Sequence, residues 1–173
     1  MSLRRELIWN RAPVRDYFHA STDKQVVRDA VFDFLKTRQF RVRATILEKS
    51  KAMPKIRTSE QRFYQYAWHY HLKNSLAGIE REIQLTTASL GTNKKRGTFE
   101  AVVHDALGQN FDSEKWFTAF CPASADPCLQ AVDYCTWAIQ RKWERGDSRS
   151  YDLIKDKIRD EFDLFRIGKT HYY

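Results

Sequence analysis

The sequence lacks most of the signatures that would announce a chemistry. It has no Gly-rich phosphate loop and no zinc-finger spacing, and no Ser/His/Asp set is apparent in it. Its three cysteines, Cys121, Cys128 and Cys135, form no Cys-x-x-Cys and leave one without a partner, which excludes a disulfide scaffold. Such usage reads as reduced thiols of an intracellular, cytoplasmic protein. There is no apolar run long enough to cross a bilayer, no signal peptide and no lipidation motif, so a membrane partner is not expected. Internal repeats, low-complexity segments and an interdomain linker are also missing.

What is present is the composition of a globular domain. Hydrophobic residues make up 42% and charged residues 30%, which argues against disorder. A chain of 173 residues is long enough to bury a core and reads as one domain, residues 1–173. The net charge of +8 is uneven: residues 1–61 hold 14 Lys/Arg against 7 Asp/Glu, while residues 62–173 hold 16 against 15. An excess confined to the first third suggests an anionic partner there, nucleic acid before membrane; the alternative is a solvated basic face.

The strongest local pattern runs from Pro122 to Gly146. Asp126 suits an N-cap, Pro127 the first helical position and Gly146 a C-terminal stop. Between them Cys128, Leu129, Val132, Cys135, Ile139 and Trp143 form an apolar stripe at about 100° per residue. Asp133 falls at its margin, where a lone carboxylate is expensive. It is either the ion-pair partner of an arginine, the cap of a nearby loop, or a metal ligand or acid/base group.

Elsewhere the order is helix and strand in alternation. Residues 1–20 have no clean period and read as a loose arm or strand remnant. Thr22 and Gln25 have capping-box spacing before a helix with Val26, Val27, Ala30, Val31, Phe34 and Leu35 facing a sheet. Phe40, Val42, Ala44 and Ile46 alternate with Arg41, Arg43 and Thr45, predicting a near-edge strand that ends at Glu48-Lys49. A loop, Ser50 to Arg57, precedes a second capping-box spacing, Thr58 and Gln61. The helix it opens runs to about Leu76, with Phe63, Tyr64, Ala67, Tyr70 and His71 inward. A strand from Glu82 to Leu90 leads by the basic turn Lys94-Lys95-Arg96 into a helix with Phe99, Val102, Val103, Ala106 and Leu107 on one face. Trp116 to Phe120 is a short strand, Ser150 to Ile158 a helical stretch, and Phe162 to Ile167 a last strand. Such alternation predicts an α/β layer, helices on a mostly parallel sheet.

The run Leu129-Gln130-Ala131-Val132-Asp133-Tyr134, with Trp137-Ala138 and Arg141-Lys142-Trp143-Glu144-Arg145-Gly146-Asp147, resembles the C-terminal signature of a prokaryotic family, domain of unknown function 3800, of the ribonuclease-H-like superfamily. Phe18-His19-Ala20 and Ile46-Leu47-Glu48-Lys49 resemble it as well, in the right order. The resemblance implies a ribonuclease-H-like mixed sheet flanked by helices and a relation to metal-dependent nucleases. It gives Asp133 the role of the late-helix carboxylate, keeps His19 as a site candidate, and matches Lys49 to a position where the family tends to carry lysine. Members usually open with a strand ending in Asp-Glu-Ser-Gly, which this sequence does not contain, so the expected fold is N-terminally incomplete.

Hydrolysis of phosphodiesters by paired cations, about 3.5–4 Å apart, requires several carboxylates together. The candidates are Asp133 and Glu48, as catalytic and metal-holding groups for Mg²⁺ or Mn²⁺, with Lys49 beside them to neutralise developing charge. Two carboxylates are too few for a two-metal centre, so weak binding of one cation and no appreciable metal-dependent cleavage are expected. Asp126 has a sufficient role as a cap, and Asp105 reads as a solvated helix carboxylate. His69 and His71, two apart on a helix, point to opposite sides and do not chelate together. Phosphate contacts are expected from Lys94, Lys95 and Arg96 at a helix N-terminus, and from Arg41 and Arg43. The functional expectation is a ribonuclease-H-like domain that acts on or binds nucleic acid; the alternative is a non-catalytic member or fragment binding nucleic acid or a protein. Exposed sheet edges would favour a homo-oligomer.

Overall fold

The computed structural model describes residues 2–89 and 93–166, with the side chains of 93–95 outside that description. The fold is mixed α/β, with two small parallel sheets flanked by helices. In chain order the elements are α1 (Leu3–Trp9), α2 (Gln25–Lys36), β1 (Val42–Ile46), α3 (Pro54–Arg57), α4 (Glu60–Ser75), β2 (Ile83–Ala88), α5 (Asn93–Gly108), β3 (Trp116–Cys121), α6 (Pro127–Arg145), α7 (Arg149–Asp152) and β4 (Ile158–Asp163). Where one mostly parallel sheet was expected, the strands pair two by two, β1 with β4 and β2 with β3. No helix among the described residues is long and apolar enough to cross a membrane.

The chain divides into two compact units, Met1–Val42 with Cys121–Arg159, and Arg43–Phe120 with Asp160–Tyr173. The core of the first unit is built by helices. Val27, Val31, Phe32 and Leu35 of α2 are buried in one cluster with Tyr134, Cys135 and Ala138 of α6, and the rings of Phe32 and Tyr134 meet edge to face at 5.4 Å. The expected sheet beneath α2 is therefore replaced by α6, and Val26 and Phe34 face outward. Residues 3–9 form a helix rather than a loose arm or strand remnant, because Leu3 and Leu7, one turn apart, both reach this cluster.

Both ends of α6 are set by its own sequence. Asp126 Oδ1 accepts the N–H groups of Cys128 (2.6 Å) and Leu129 (3.4 Å), and Pro127 follows at the first helical position. Gly146 ends the helix at φ 65°, its N–H donating to Lys142 O at 3.0 Å. The buried face is turned from the expected one. Cys128 is exposed, as are Val132 (58%) and Trp143 (44%), and Tyr134 and Ala138 are fully buried in their stead. Tyr134 tolerates burial because its hydroxyl donates to Asp23 Oδ2 at 2.6 Å. Cys135 stays in the core, and burial pushes its thiol up to about 12.

In the second unit α5 buries Phe99, Val102, Val103, Ala106 and Leu107, the face its sequence predicts. It also serves as the crossover that parallel β2 and β3 require. The long helix α4 packs toward two clusters: Trp68, Leu72 and Leu76 toward Phe99 and Leu107, and Phe63 and Tyr70 toward Ala52, Leu164 and Phe165. Its expected inward face is thus split, and Tyr64 is exposed. The cap of α4 is Ser59, whose Oγ accepts Arg62 N–H at 3.4 Å; Thr58 instead closes α3, its hydroxyl donating to Pro54 O at 2.7 Å. The same shift occurs before α2: Lys24 occupies the cap position, and Thr22 donates to His19 O at 3.3 Å. Residues 158–163 form the last strand, parallel to β1 and extended by Leu164 N–H donating to Ile46 O at 3.0 Å. The expected strand was placed about four residues late, and Ile167 lies outside the described residues.

Burial holds the His71 imidazole below its ordinary pKa, and its Nδ1 lies 3.0 Å from Thr45 Oγ1. An unfolded chain therefore takes up a proton at His71 near about pH 6.5, before the folded one does. Stability conferred by a neutral His71 should be intact above that pH and fall as pH drops through it. Urea midpoints at successive pH values check this, and His71→Gln, which does not titrate, should flatten the fall.

Candidate functional site

The site is built where the segment before α2 crosses the side of α6. Gln130, Asp133, Tyr134 and Trp137 stand at helical spacings of three and four, so they share one face of α6. Three consecutive amides of the crossing segment are taken up by side chains. Phe18 N–H donates to Gln130 Oε1 (3.1 Å), His19 N–H to Asp23 Oδ2 (2.9 Å) and Ala20 N–H to Asp133 Oδ2 (2.8 Å). The Ala20 carbonyl accepts from Arg28 Nε at 2.7 Å. A buried amide must find a partner, and Ala20 is fully buried, so Asp133 meets a demand that water cannot.

The same oxygen of Asp133 lies 2.9 Å from His19 Nδ1. A carboxylate only accepts, so Nδ1 carries the hydrogen, and in the neutral ring Nε2 bears the lone pair. Nε2 lies 3.1 Å from Ser21 Oγ, which places a Ser–His–Asp series where none was apparent in the sequence. The imidazole (40% exposed) and the Asp133 side chain (31%) are both open to solvent on one side. An imidazole oriented in this way can take a proton at Nε2 and return it.

Behind the pair is Asp23, buried, with Oδ2 shared by His19 N–H and the Tyr134 hydroxyl and with no partner at Oδ1 among the described residues. Burial, and then the bond to Asp23, holds the Tyr134 phenol far above its ordinary pKa, so it stays a donor. One turn along α6 from Asp133, the Trp137 ring has the Arg28 guanidinium 4.9 Å from its centroid and that of Arg141 at 5.2 Å. Arg141 is steadied by Asp147, whose Oδ2 accepts from its Nε (3.0 Å) and Nη2 (2.7 Å). Arg149 donates to both oxygens of the same carboxylate at 2.9 Å. Arg149 first, and then Arg141, hold the Asp147 carboxyl well below the ordinary range.

The other expected residues have different surroundings. Glu48, just past β1, is exposed and bonded locally, to Lys51 Nζ at 2.6 Å and by Ser50 Oγ at 2.9 Å, and these contacts lower its pKa. Lys49 Nζ lies 5.7 Å from the centre of the Phe63 ring. Arg43 Nη1 donates to Ser75 O (2.7 Å) and Asn74 O (3.3 Å), neutralising the C-terminal carbonyls of α4. Arg41 and Arg96 are exposed; the Lys94 and Lys95 side chains lie outside the described residues. Asp133 and Arg41 belong to the first unit, and Glu48, Lys49, Arg43 and Arg96 to the second.

Among the described residues no group of three or more His, Cys, Asp or Glu side chains is placed to hold a metal ion. Within the first unit, the His19–Asp133 pair offers His19 Nε2 and Asp133 Oδ1, fewer donors than the near-octahedral oxygen shell of Mg²⁺ demands. These residues do not fit a two-metal centre.

No family model matches the chain, and no curated protein or solved structure does. Function follows from the residues of the site. Of these, sequence reasoning singled out Asp133 and His19. It missed Ser21, Asp23, Gln130 and Tyr134, although the i, i+3, i+4, i+7 spacing from Gln130 to Trp137 was a usable signal for the face.

Removing the carboxylate by Asp133→Ala leaves the buried Ala20 N–H without a partner and should cost about 1–3 kcal/mol. Asp133→Asn keeps an acceptor oxygen and should cost less. Urea unfolding of both variants checks this; an unchanged midpoint in Asp133→Ala would mean that the carboxylate does not hold the segment.

Proposed function

We propose that the protein binds nucleic acid through its phosphates and acts on it, as a ribonuclease-H-like domain, with His19 as the acid/base group. The observation that carries this reading is the His19–Asp133 pair, open to solvent, with the Arg28 guanidinium on the Ala20 carbonyl next to it. Cleavage of a phosphodiester requires a proton to leave the attacking oxygen and another to reach the departing one. An imidazole oriented through Nδ1 takes the first proton at Nε2 and can deliver it to the departing oxygen, for about 10²–10⁴ in rate. The charge concentrated on phosphorus can be met by Arg28, since the planar fork of an arginine suits phosphate oxygens. The unit that bears the pair carries 16 Lys/Arg against 11 Asp/Glu, an excess that favours a polyanion.

A second reading, a binding module without catalysis, is favoured by one observation: Asp133 already has a complete structural role in holding Ala20 N–H. The two readings share the binding step and part at His19.

Binding of labelled single-stranded and duplex DNA and RNA, followed by fluorescence anisotropy, tests the shared step. Affinity should fall by about tenfold or more between about 50 and about 200 mM salt, linearly on logarithmic axes. Charge reversal at Lys94, Lys95 and Arg96 together should weaken all sequences about equally. Affinity indifferent to salt would remove nucleic acid as the partner. Product analysis of the bound strands, with Mn²⁺ and with chelator, separates the two readings: cleavage lost in His19→Ala supports catalysis, and its absence under both conditions leaves the binding module.

A further inference from the structure

The turn after His19 brings the chain back so that Ser21 Oγ lies 3.1 Å from His19 Nε2, while His19 Nδ1 lies 2.9 Å from Asp133 Oδ2. Hydroxyl, imidazole and carboxylate thus stand in the order that activates a serine: the imidazole takes the hydroxyl proton, and the carboxylate fixes its tautomer and orientation. Among the described residues, His19 Nε2 is the one partner of this hydroxyl. Ser21 is exposed, and water would satisfy it equally well. The segment is nevertheless held rigidly on both sides. Ala20 is tied down through Asp133 and Arg28, and the Thr22 and Asp23 amides both donate to His19 O at 3.0 Å.

We infer that Ser21 is a nucleophile, activated by His19 and positioned through it by Asp133, and that it attacks the phosphorus of phosphoesters. The class of substrate rests on the nucleic-acid reading above; the activation of Ser21 does not. Phosphorus is favoured over a carbonyl carbon by the cation at hand. Arg28 binds the carbonyl immediately before Ser21, so a positive charge stands next to the segment where a transition state would spread negative charge over phosphoryl oxygens.

The step balances within the site. The Ser21 Oγ–P bond forms as the bond from phosphorus to the leaving alcohol breaks. The Oγ proton passes to His19 Nε2 and from there to the departing oxygen, leaving a phosphoryl ester on Ser21. Water then gives a proton to the same Nε2 and attacks phosphorus, and that proton returns to Oγ as Ser21 is released. Asp133 keeps His19 aligned and takes no part in the bond changes.

Diisopropyl fluorophosphate tests the chemistry on the full chain without nucleic acid: Oγ–P forms, P–F breaks and fluoride leaves. Mass spectrometry should find one adduct, on Ser21, absent from Ser21→Ala. In His19→Asn the labelling rate should fall by about 100-fold. Because His19→Asn also removes a contact that steadies the segment, Ser21→Cys in the otherwise unchanged chain gives a second measure. Iodoacetamide should alkylate the introduced thiol about tenfold faster at neutral pH than the exposed Cys128 of the same molecule. The inference is overturned by no adduct on Ser21, by an adduct formed equally fast in His19→Asn, or by a thiol no more reactive than Cys128. Salt-sensitive nucleic-acid binding alongside any of these results would leave the binding reading standing and remove the nucleophile.

Discussion

Asp133 Oδ2 meets two groups of the segment before α2 at once, tying it to the side of α6, and the site depends on it. It accepts the Ala20 N–H from a residue that is fully buried, and it orients His19 at nearly the same distance. The demand comes first from the backbone. A chain segment crossing a core surface brings polar groups that must be satisfied there. Gln130, Asp23 and Asp133 satisfy three of them in succession, two from α6 and one from the segment itself. With the amides fixed, the position of the imidazole follows, because His19 lies between two of the captured residues. The structural and the chemical roles of Asp133 are therefore one arrangement: the oxygen that holds the segment is the oxygen that sets the tautomer.

Asp23 and Tyr134 carry the same logic into the core. Asp23 precedes α2, where the free N–H groups of the helix favour negative charge. Its Oδ2 collects the Tyr134 hydroxyl and the His19 amide, so a phenol from the most buried face of α6 and the backbone of the crossing segment meet at one atom. A buried carboxylate with one oxygen unpartnered is destabilising unless its other bonds are strong. Here the 2.6 Å bond from a phenol that does not ionise offsets part of that cost. Deep burial of Tyr134 also explains why α6 is turned from the stripe expected of it: a tyrosine and an alanine, neither a strong hydrophobe by type, take the interior positions because one has a hydroxyl partner and the other fits closely.

How much of this was legible depends on the range of each interaction. The ends of α6 could be read because Asp126, Pro127 and Gly146 act within four residues of themselves. The face of α5 could be read because one side of it meets one cluster. The faces of α4 could not, since a helix with apolar contacts on two sides shows no single stripe. The last strand was misplaced because Arg159, Asp160 and Glu161 hide its alternation, and the strand is recognised from its pairing with β1. In the site, Asp133 stood out as a carboxylate at the margin of an apolar stripe, and His19 entered only through the resemblance. Asp23 and Ser21 left no trace. Their roles depend on partners brought near by the fold or, for Ser21, on a turn that reverses the chain within two residues.

The comparison of Glu48 with Asp133 shows why range also bears on function. Both were carboxylates at promising places. Glu48 finds its partners two and three residues away, on an exposed turn, in a surface ion pair of the kind that contributes little and forms wherever the sequence allows. Asp133 finds its partners 113 and 114 residues away, so its contacts exist only when the first unit has folded around them. A group whose geometry is created by the fold can be held to the tolerance that proton transfer demands, and a group on an exposed local turn is not. The weight of the chemical argument therefore lies with the His19–Asp133 pair rather than with the carboxylate at the end of β1.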